Sequence, residues 1–583
     1  MKTKNKEAEA ALTKGINAGK NKDFDSAIIN FTQTIELDPK YAAAYSNRGI
    51  TYRKLEKYPE AIADLTKAIK LDPTDAAAYN GRGIAYGNLK KYEESIADFT
   101  QAIELDPKYA AAYNNRGIMY RKLEKYPEAI ADYTKAIKLD PKYAAAYYNR
   151  GGAYDSLKKY PEAIADFTKA IKLDPKNAAA YNNRSITYRK LEKYPEAIAD
   201  LTKAIKLDPT DAAAYYNRGI SYNDLKKYPE AIADYTKAIK LDPKHAFAYS
   251  NLGGAYNDLK KYPESIADCT KAIKLDPTDA IAYNNRGVAY SGLEKYPEAI
   301  ADCTKSIELD PKNAAAYNNR GNAYRKLEKY PEAIADLTKS IELDPKLAAA
   351  YYNRGITYEN LEKYPEAIAD YTKAIKLDPK HAAAYYNRGY TYRKLEKYPE
   401  AIADYTKAIE LDPKYAAAYN GRGNAYGNLE KYPEAIADYT KAIKLDPTDV
   451  FAYFGRGNAY GNLEKYPESI SDHTKAIKLD PTDADAYNNR GITYRKLEKY
   501  PEAIADFTQA IELDPTDAIA YNGRGGAYGS LKKYPEAIAD CTKAIKLDPT
   551  DAIAYNNRGI AYKALGKTIE AEADFAKAKS LKN

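Results

Sequence analysis

The residues best suited to chemistry are few and badly placed for it. A thiol nucleophile or a zinc site needs a cysteine or histidine beside a second reactive group, and the chain has only three of each. Cys269, Cys303, Cys541 and His473 are separated by whole multiples of 34 residues, so they share one slot of a repeat in which other copies carry Phe, Tyr or Leu. That slot reads as core. His245 and His381 share a second slot, two residues after the proline of an Asp-Pro pair. No zinc site is expected. No nucleotide-binding glycine loop, Ser/His/Asp grouping or acidic pair stands outside the repeats, so neither catalysis nor a cofactor is implied.

Amides recur where nucleophiles do not. Asn47, Asn115, Asn149, Asn183, Asn217, Asn251, Asn285, Asn319, Asn353, Asn387, Asn489 and Asn557 occupy one slot of the same period. An asparagine offers a carbonyl acceptor and an amide donor together. A ladder of them can pair with the backbone of an extended peptide whatever its sequence. Each mid-helix Asn costs a few tenths of a kcal/mol, and the plainer alternative is that it caps a neighbour or faces water. Gly81, Gly421, Gly455 and Gly523 replace it in four copies, each with a second glycine six residues on (Gly87, Gly427, Gly461, Gly529). Two helical glycines cost roughly 2 kcal/mol relative to alanine. Six of the Asn copies instead carry Arg six residues on, as Arg53 and Arg121 do. Gly421 and Gly455 lie in adjacent copies that add Asn424 and Asn458, so residues 416–483 are expected to form a wider, less basic pocket. Linked duplication is the alternative.

The elements that position these residues follow from the period. Tyr45, Tyr79, Tyr113 and their successors to Tyr555 recur every 34 residues, and units start at Ala8, Ala42, Ala76 and onward to Ala552, seventeen in all with no insertion. Residues 1–7 read as a short polar tail. Within the unit beginning at Ala42, taken as position 1, Tyr45, Tyr52 and Leu55 fall on one face of a first helix. Tyr58, Ala61, Ile62, Leu65, Ala68 and Ile69 fall on one face of a second. The thirty prolines punctuate this pattern: sixteen lie at position 32, where Asp-Pro stops helix B, and fourteen at position 18, in the first turn of helix B. Each unit is a helical hairpin, and 8–583 is one all-α array. In the last unit Thr568-Ile569-Glu570-Ala571-Glu572, followed by Lys577, Lys579 and Lys582, reads as a polar cap.

Tyr45, Gly49, Tyr52, Ala61, Leu65, Ala68 and Pro73 stand at positions 4, 8, 11, 20, 24, 27 and 32. This resembles the tetratricopeptide repeat. The resemblance implies a right-handed α-solenoid superhelix of stacked antiparallel hairpins, in which helix A lines a concave groove and positions 2, 5, 6, 9, 12 and 13 face it. The Asn slot is position 6, similar to the asparagine ladder in the repeat region of the O-linked N-acetylglucosamine transferases. The family's carboxylate clamp for chaperone tails needs Lys at positions 5 and 2. No unit has either, and only Asn47 matches, so that mode of binding is not expected. One departure is consistent: position 7, Leu in the family, is Arg in fifteen units, Leu252 and Lys14 being the others. This Arg is expected to pair with an Asp of the neighbouring unit, such as that of Asp-Pro, while Glu and Asp at 19 and 23 read as a solvated outer face.

The totals agree with a binding array. A net charge of +8 over 583 residues is mild and does not point to nucleic acid. No apolar run is long enough to span a membrane, the first residues are charged and unlike a secretory signal, and a cytoplasmic location is expected. The implied function is a non-catalytic scaffold or adaptor that holds extended protein segments through many weak contacts. The alternative is a helical-repeat protein that binds single-stranded RNA, one base per unit.

Overall fold

The computed structural model describes residues 2–581. Among them are 34 helices and no strand, paired as the period requires. The chain divides into two compact units, Met1–Glu294 and Lys295–Asn583, between helix A (Ala280–Gly292) and helix B (Tyr296–Leu309) of the ninth repeat. The first helix runs Lys2–Lys20, so residues 2–7 continue it rather than forming a separate tail.

The second repeat shows how each hairpin is made. Helix A (Ala42–Lys54) ends in a Schellman motif: Glu56 N–H donates to Arg53 O at 3.1 Å and Lys57 N–H to Tyr52 O at 2.9 Å. The motif places Glu56 in the left-handed region at φ 59°. Sixteen repeats put Lys or Glu there, at φ 56–63°, and only the last uses glycine, Gly566. A side chain in that conformation costs ~1–2 kcal/mol, so the two carbonyls it satisfies must offset that cost. Pro59 opens helix B (Tyr58–Leu71), and Asp72 leaves it in extended conformation ahead of Pro73. The Asp72 carboxylate accepts from Thr74 N–H at 3.0 Å and Thr74 Oγ1 at 2.7 Å, bonds that lower its pKa. Asp75 then caps the next helix A, accepting from Ala77 N–H at 2.9 Å and Ala78 N–H at 3.0 Å.

Packing uses small residues to bring helices together and one large residue to fill each joint. Ala61, Leu65 and Ala68 are fully buried with Ala78 and Ala85 of the next repeat. Position 8 must be small: a Cβ on Gly117 would lie 2.7 Å from the Tyr133 ring, and one on Gly49 2.7 Å from Leu65 Cγ. The slot shared by the cysteines is core, as the period implies. Cys269, Cys303 and Cys541 are buried, and burial pushes each thiol up to about 12. Within each unit, every helix packs only on helices one or two places along the chain.

Candidate peptide-binding face

Position 7 is the joint that holds helix A in place. In fourteen repeats the Arg guanidinium makes an ion pair of 2.7–2.8 Å with the Asp at position 23 of its own helix B. Arg48 is representative. Its Nε and Nη2 donate to the two Asp64 oxygens at 2.7 and 2.9 Å, and Nη1 donates to Thr32 Oγ1 of the preceding repeat at 2.9 Å. The guanidinium lies between Tyr45 and Tyr52, 5.8 and 6.0 Å from the ring centroids. Hydrogen bonding to Asp64 raises the Arg48 pKa further.

Two expectations are corrected here. The carboxylate partner is not an Asp of the neighbouring unit or of the Asp-Pro pair, because the fork geometry reaches across the hairpin to helix B, and the neighbour supplies a threonine instead. Nor is Asp at position 23 a solvated charge: Asp64, Asp132 and Asp336 are only 6–8% exposed. The signal was present in the first repeat, where Lys14 replaces Arg and Asn30 replaces Asp together.

The eighth repeat breaks the joint in another way. Leu252 stands at position 7, buried against Tyr235, and Asp268 keeps its carboxylate without hydrogen bond or ion pair among the described residues. Burial alone pushes its pKa up to about 6. A carboxyl raised in the folded state lowers stability as pH climbs from ~4 through ~6, and the penalty is complete at pH 7. Leu252→Arg is therefore expected to stabilise this repeat at pH 7 by ~1–2 kcal/mol, after discounting for the solvent that still reaches Asp268. Denaturant unfolding at pH 5 and 7 checks it, with the gain shrinking at the lower pH.

The twelve position-6 asparagines are all half-buried on helix A. At least nine donate an amide hydrogen to the position-5 residue of the preceding repeat. Asn115, Asn149, Asn217, Asn353 and Asn557 reach the amide oxygens of Asn80, Asn114, Asn182, Asn318 and Asn522 at 2.8–3.1 Å. Asn183, Asn251 and Asn387 reach the hydroxyls of Tyr148, Tyr216 and Tyr352 at 2.8–3.2 Å, and Asn285 reaches Ser250 O at 3.1 Å. Asn47 and Asn489 bond back to their own helix, and Asn319 accepts from Asn318. The ladder thus ties successive helices A together. Each of the nine keeps a second amide hydrogen and carbonyl lone pairs for another partner.

At Gly421 and Gly455 the ring of the preceding helix B occupies the place of a side chain. A Cβ on Gly421 would lie 2.7 Å from Tyr405 Cζ, and one on Gly455 2.5 Å from Tyr439 Cζ. The rings of the preceding helix B fill the room that the missing side chains leave, so glycine alone does not widen the groove. The recesses lie beside them. One of about 620 Å³ is walled by Tyr386, Tyr390, Arg393, Gly421, Asn424 and Phe451, and the next, about 350 Å³, by Asn424, Phe451, Phe454, Gly455 and Asn458. Arg393 makes the first of these more basic than the sequence suggests. A third, about 500 Å³, adjoins His473. Residues 1–294 hold two more, about 410 Å³ at Asn115 and about 430 Å³ between Asn251 and Asn285. All five are lined by positions 6, 9 and 12 or 13 of helix A.

Several position-12 arginines on this face have incomplete partnerships. The Nε atoms of Arg53, Arg121 and Arg325 are buried without a hydrogen bond. Among the described residues, no group of three or more His, Cys, Asp or Glu side chains could hold a metal ion, and no helix is long and apolar enough to cross a membrane.

The sequence comparison bears directly on this geometry. The tetratricopeptide repeat pattern matches thirteen consecutive or near-consecutive 34-residue copies, four over 42–177, three over 212–313 and six over 348–551. This chain belongs to the tetratricopeptide repeat family. Related patterns of the family match 187–225 and 321–362, and 167–199, 303–335 and 541–573. Among solved structures, the tetratricopeptide array is similar to the APC/C hetero-tetramer Cut9–Hcn1, at 17% identity and TM-score 0.44 over 83% of this chain and 96% of that one. It is also similar to YrrB, described as a TPR protein with an unusual peptide-binding site, at 28% identity and TM-score 0.29 over 32% of this chain and 95% of that one. A third is a tetratricopeptide repeat protein from Parabacteroides merdae, at 20% identity and TM-score 0.38 over 42% and 98%. No curated protein sequence gives a significant match.

Proposed function

We propose that this tetratricopeptide repeat protein is a non-catalytic scaffold that holds extended protein segments against its helix-A face. The observation that carries the reading is the coincidence of recesses and unused hydrogen-bonding groups: five recesses on that face, each edged by position 6, 9 or 12. The nine cross-bonded ladder asparagines present a second N–H and a carbonyl lone pair at helix-to-helix spacing, ~8–10 Å. An extended segment advances ~3.3–3.6 Å per residue, so about every third backbone amide comes opposite a ladder residue. Many contacts of this kind sum along one ligand. The position-12 arginines without carboxylate partners favour segments that carry acidic side chains.

The test places photo-cross-linking side chains at Ile118 and Ile356, position 9 of helix A, and separately at Lys135 and Lys373 on helix B. The full chain is then exposed to a library of extended peptides. Cross-links should form from helix A alone, and Asn217→Ala with Asn353→Ala should weaken capture about threefold or more, within the ~0.5–1.5 kcal/mol of a net hydrogen bond each. Cross-links confined to helix B would defeat the reading. So would capture of single-stranded RNA in preference to peptides with a steep loss on adding salt.

A further inference from the structure

We infer that the recess between helices A of the twelfth to fourteenth repeats is an anchor site for one aromatic side chain of a bound protein segment, with a carboxylate-bearing residue beside it. This deepens the groove reading and rests on it. The volume, about 620 Å³, falls in the ~300–1,000 Å³ range of built ligand sites. Its wall is aromatic. Tyr386 packs at 5.7 Å against Tyr405 and 5.0 Å against Tyr415, with tilted rings. Phe451 stands at the lip with 78% of its surface exposed, apolar area that an incoming ring would cover.

Two polar groups in the recess are unfinished. Tyr405 is fully buried, yet its hydroxyl has no hydrogen-bond partner. It lies near the Arg393 charge without a well-formed bond, and close enough to the Gly421 backbone that a Cβ there would sit 3.0 Å from it. Arg393 lies over the Tyr390 ring at 5.1 Å and makes one long contact, 3.4 Å, to Asn424 Oδ1. It pairs with no carboxylate among the described residues, unlike the position-7 arginines.

The acids on the opposite side are already occupied. Asp446 accepts from Thr448 N–H at 2.9 Å and Oγ1 at 2.6 Å, and Asp449 from Ala452 N–H at 3.1 Å and Asn420 Nδ2 at 2.9 Å. Those bonds leave both carboxylates charged, so an anion is favoured only at Arg393, the one cation lining the recess, beside the Tyr390 ring. A nucleic acid could stack on the same rings, but it carries a charge at every residue, which Asp446 and Asp449 oppose, whereas a peptide needs a single carboxylate, at Arg393. The occupant that fits is an aromatic residue followed by an acidic one.

The test uses the full chain and a fluorescent Gly/Ser peptide bearing one Phe-Asp pair, beside versions in which Phe becomes Gly or Asp becomes Lys, and single-stranded oligouridylate. The Phe-Asp peptide should bind about tenfold tighter than either variant peptide, the scale of one buried anchor. Phe451→Ser, at an exposed position, and Gly421→Asn, which drives the Tyr405 ring from its place, should each remove most of that preference. Arg393→Gln should erase the preference for Asp over Lys and keep that for Phe over Gly. Equal binding of the three peptides overturns the inference, as does a Phe preference that survives Phe451→Ser, or oligouridylate binding tighter than the Phe-Asp peptide. Peptides that still cross-link along helix A without such discrimination would leave the groove reading standing while the anchor fails. Absence of any helix-A cross-link removes both.

Discussion

Arg320→Leu is expected to destabilise the tenth repeat by ~3–5 kcal/mol, the scale for orphaning one member of a buried ion pair. In the native structure Arg320 grips Asp336 through Nε and Nη2 at 2.7 and 2.8 Å, and its Nη1 reaches Thr304 of the preceding repeat at 3.0 Å. Asp336 is 7% exposed, so solvent cannot replace the lost partner. Changing both residues to leucine should cost much less, because no charge is then buried alone. Repeat arrays respond locally, so faster amide hydrogen exchange should concentrate in 314–343. A single variant no less stable than the double would show that the pair contributes through packing alone. The eighth repeat carries leucine at this position already, but solvent still reaches Asp268 there, so the gain expected from Leu252→Arg is smaller than the loss from Arg320→Leu.

Acid should loosen the fourteenth repeat, by ~2 kcal/mol between pH 7.5 and 5. His473 occupies the core slot at position 24, where most repeats place Phe, Tyr, Leu or Cys, and it is 1% exposed. Its Nδ1 has no partner, and its ring meets Phe454 edge-on at 5.7 Å. Burial, with a smaller push from the Arg490 charge, lowers its pKa to about 4. An unfolded imidazole takes up its proton near ~6.5, so between those values the unfolded chain binds a proton that the folded one refuses. The contribution is full above ~7, falls as pH drops through ~6.5, and is constant again below ~4. His473→Phe should abolish the dependence while keeping the ring packed against Gly457. Exchange rates in helix B of that repeat (Tyr466–Leu479), followed across the same pH range, decide the matter.

The regular parts of this fold were readable because local chemistry dictates them. Thirty prolines in two slots open fourteen of the B helices and close sixteen, and the tyrosine period fixed the unit. The identity of each buried ion pair was not readable from helix B alone, since Glu and Asp at positions 19 and 23 look like an ordinary solvated i,i+4 pair. Only the hairpin, folding sixteen residues back on themselves, carries Asp64 beneath Arg48. The ladder was visible as a set of asparagines, but its partners depended on how one helix A lies against the last, a 35-residue register that no single unit contains. The left-handed turn between the helices also escaped notice. The usual glycine is absent there, and Glu56 or Lys90 gives no sign of the conformation it must adopt.

Next-neighbour packing has a kinetic side. In each compact unit no helix touches another more than two places away, so adding repeats lengthens the chain without lengthening any contact. Relative contact order therefore falls as the array grows, and the chain-closure entropy to be overcome before stabilising contacts form stays that of a hairpin and its neighbour. Folding can begin in any well-joined pair and spread in both directions. On that basis the eighth repeat, lacking its Arg–Asp joint, is a place where spreading pauses rather than where it starts.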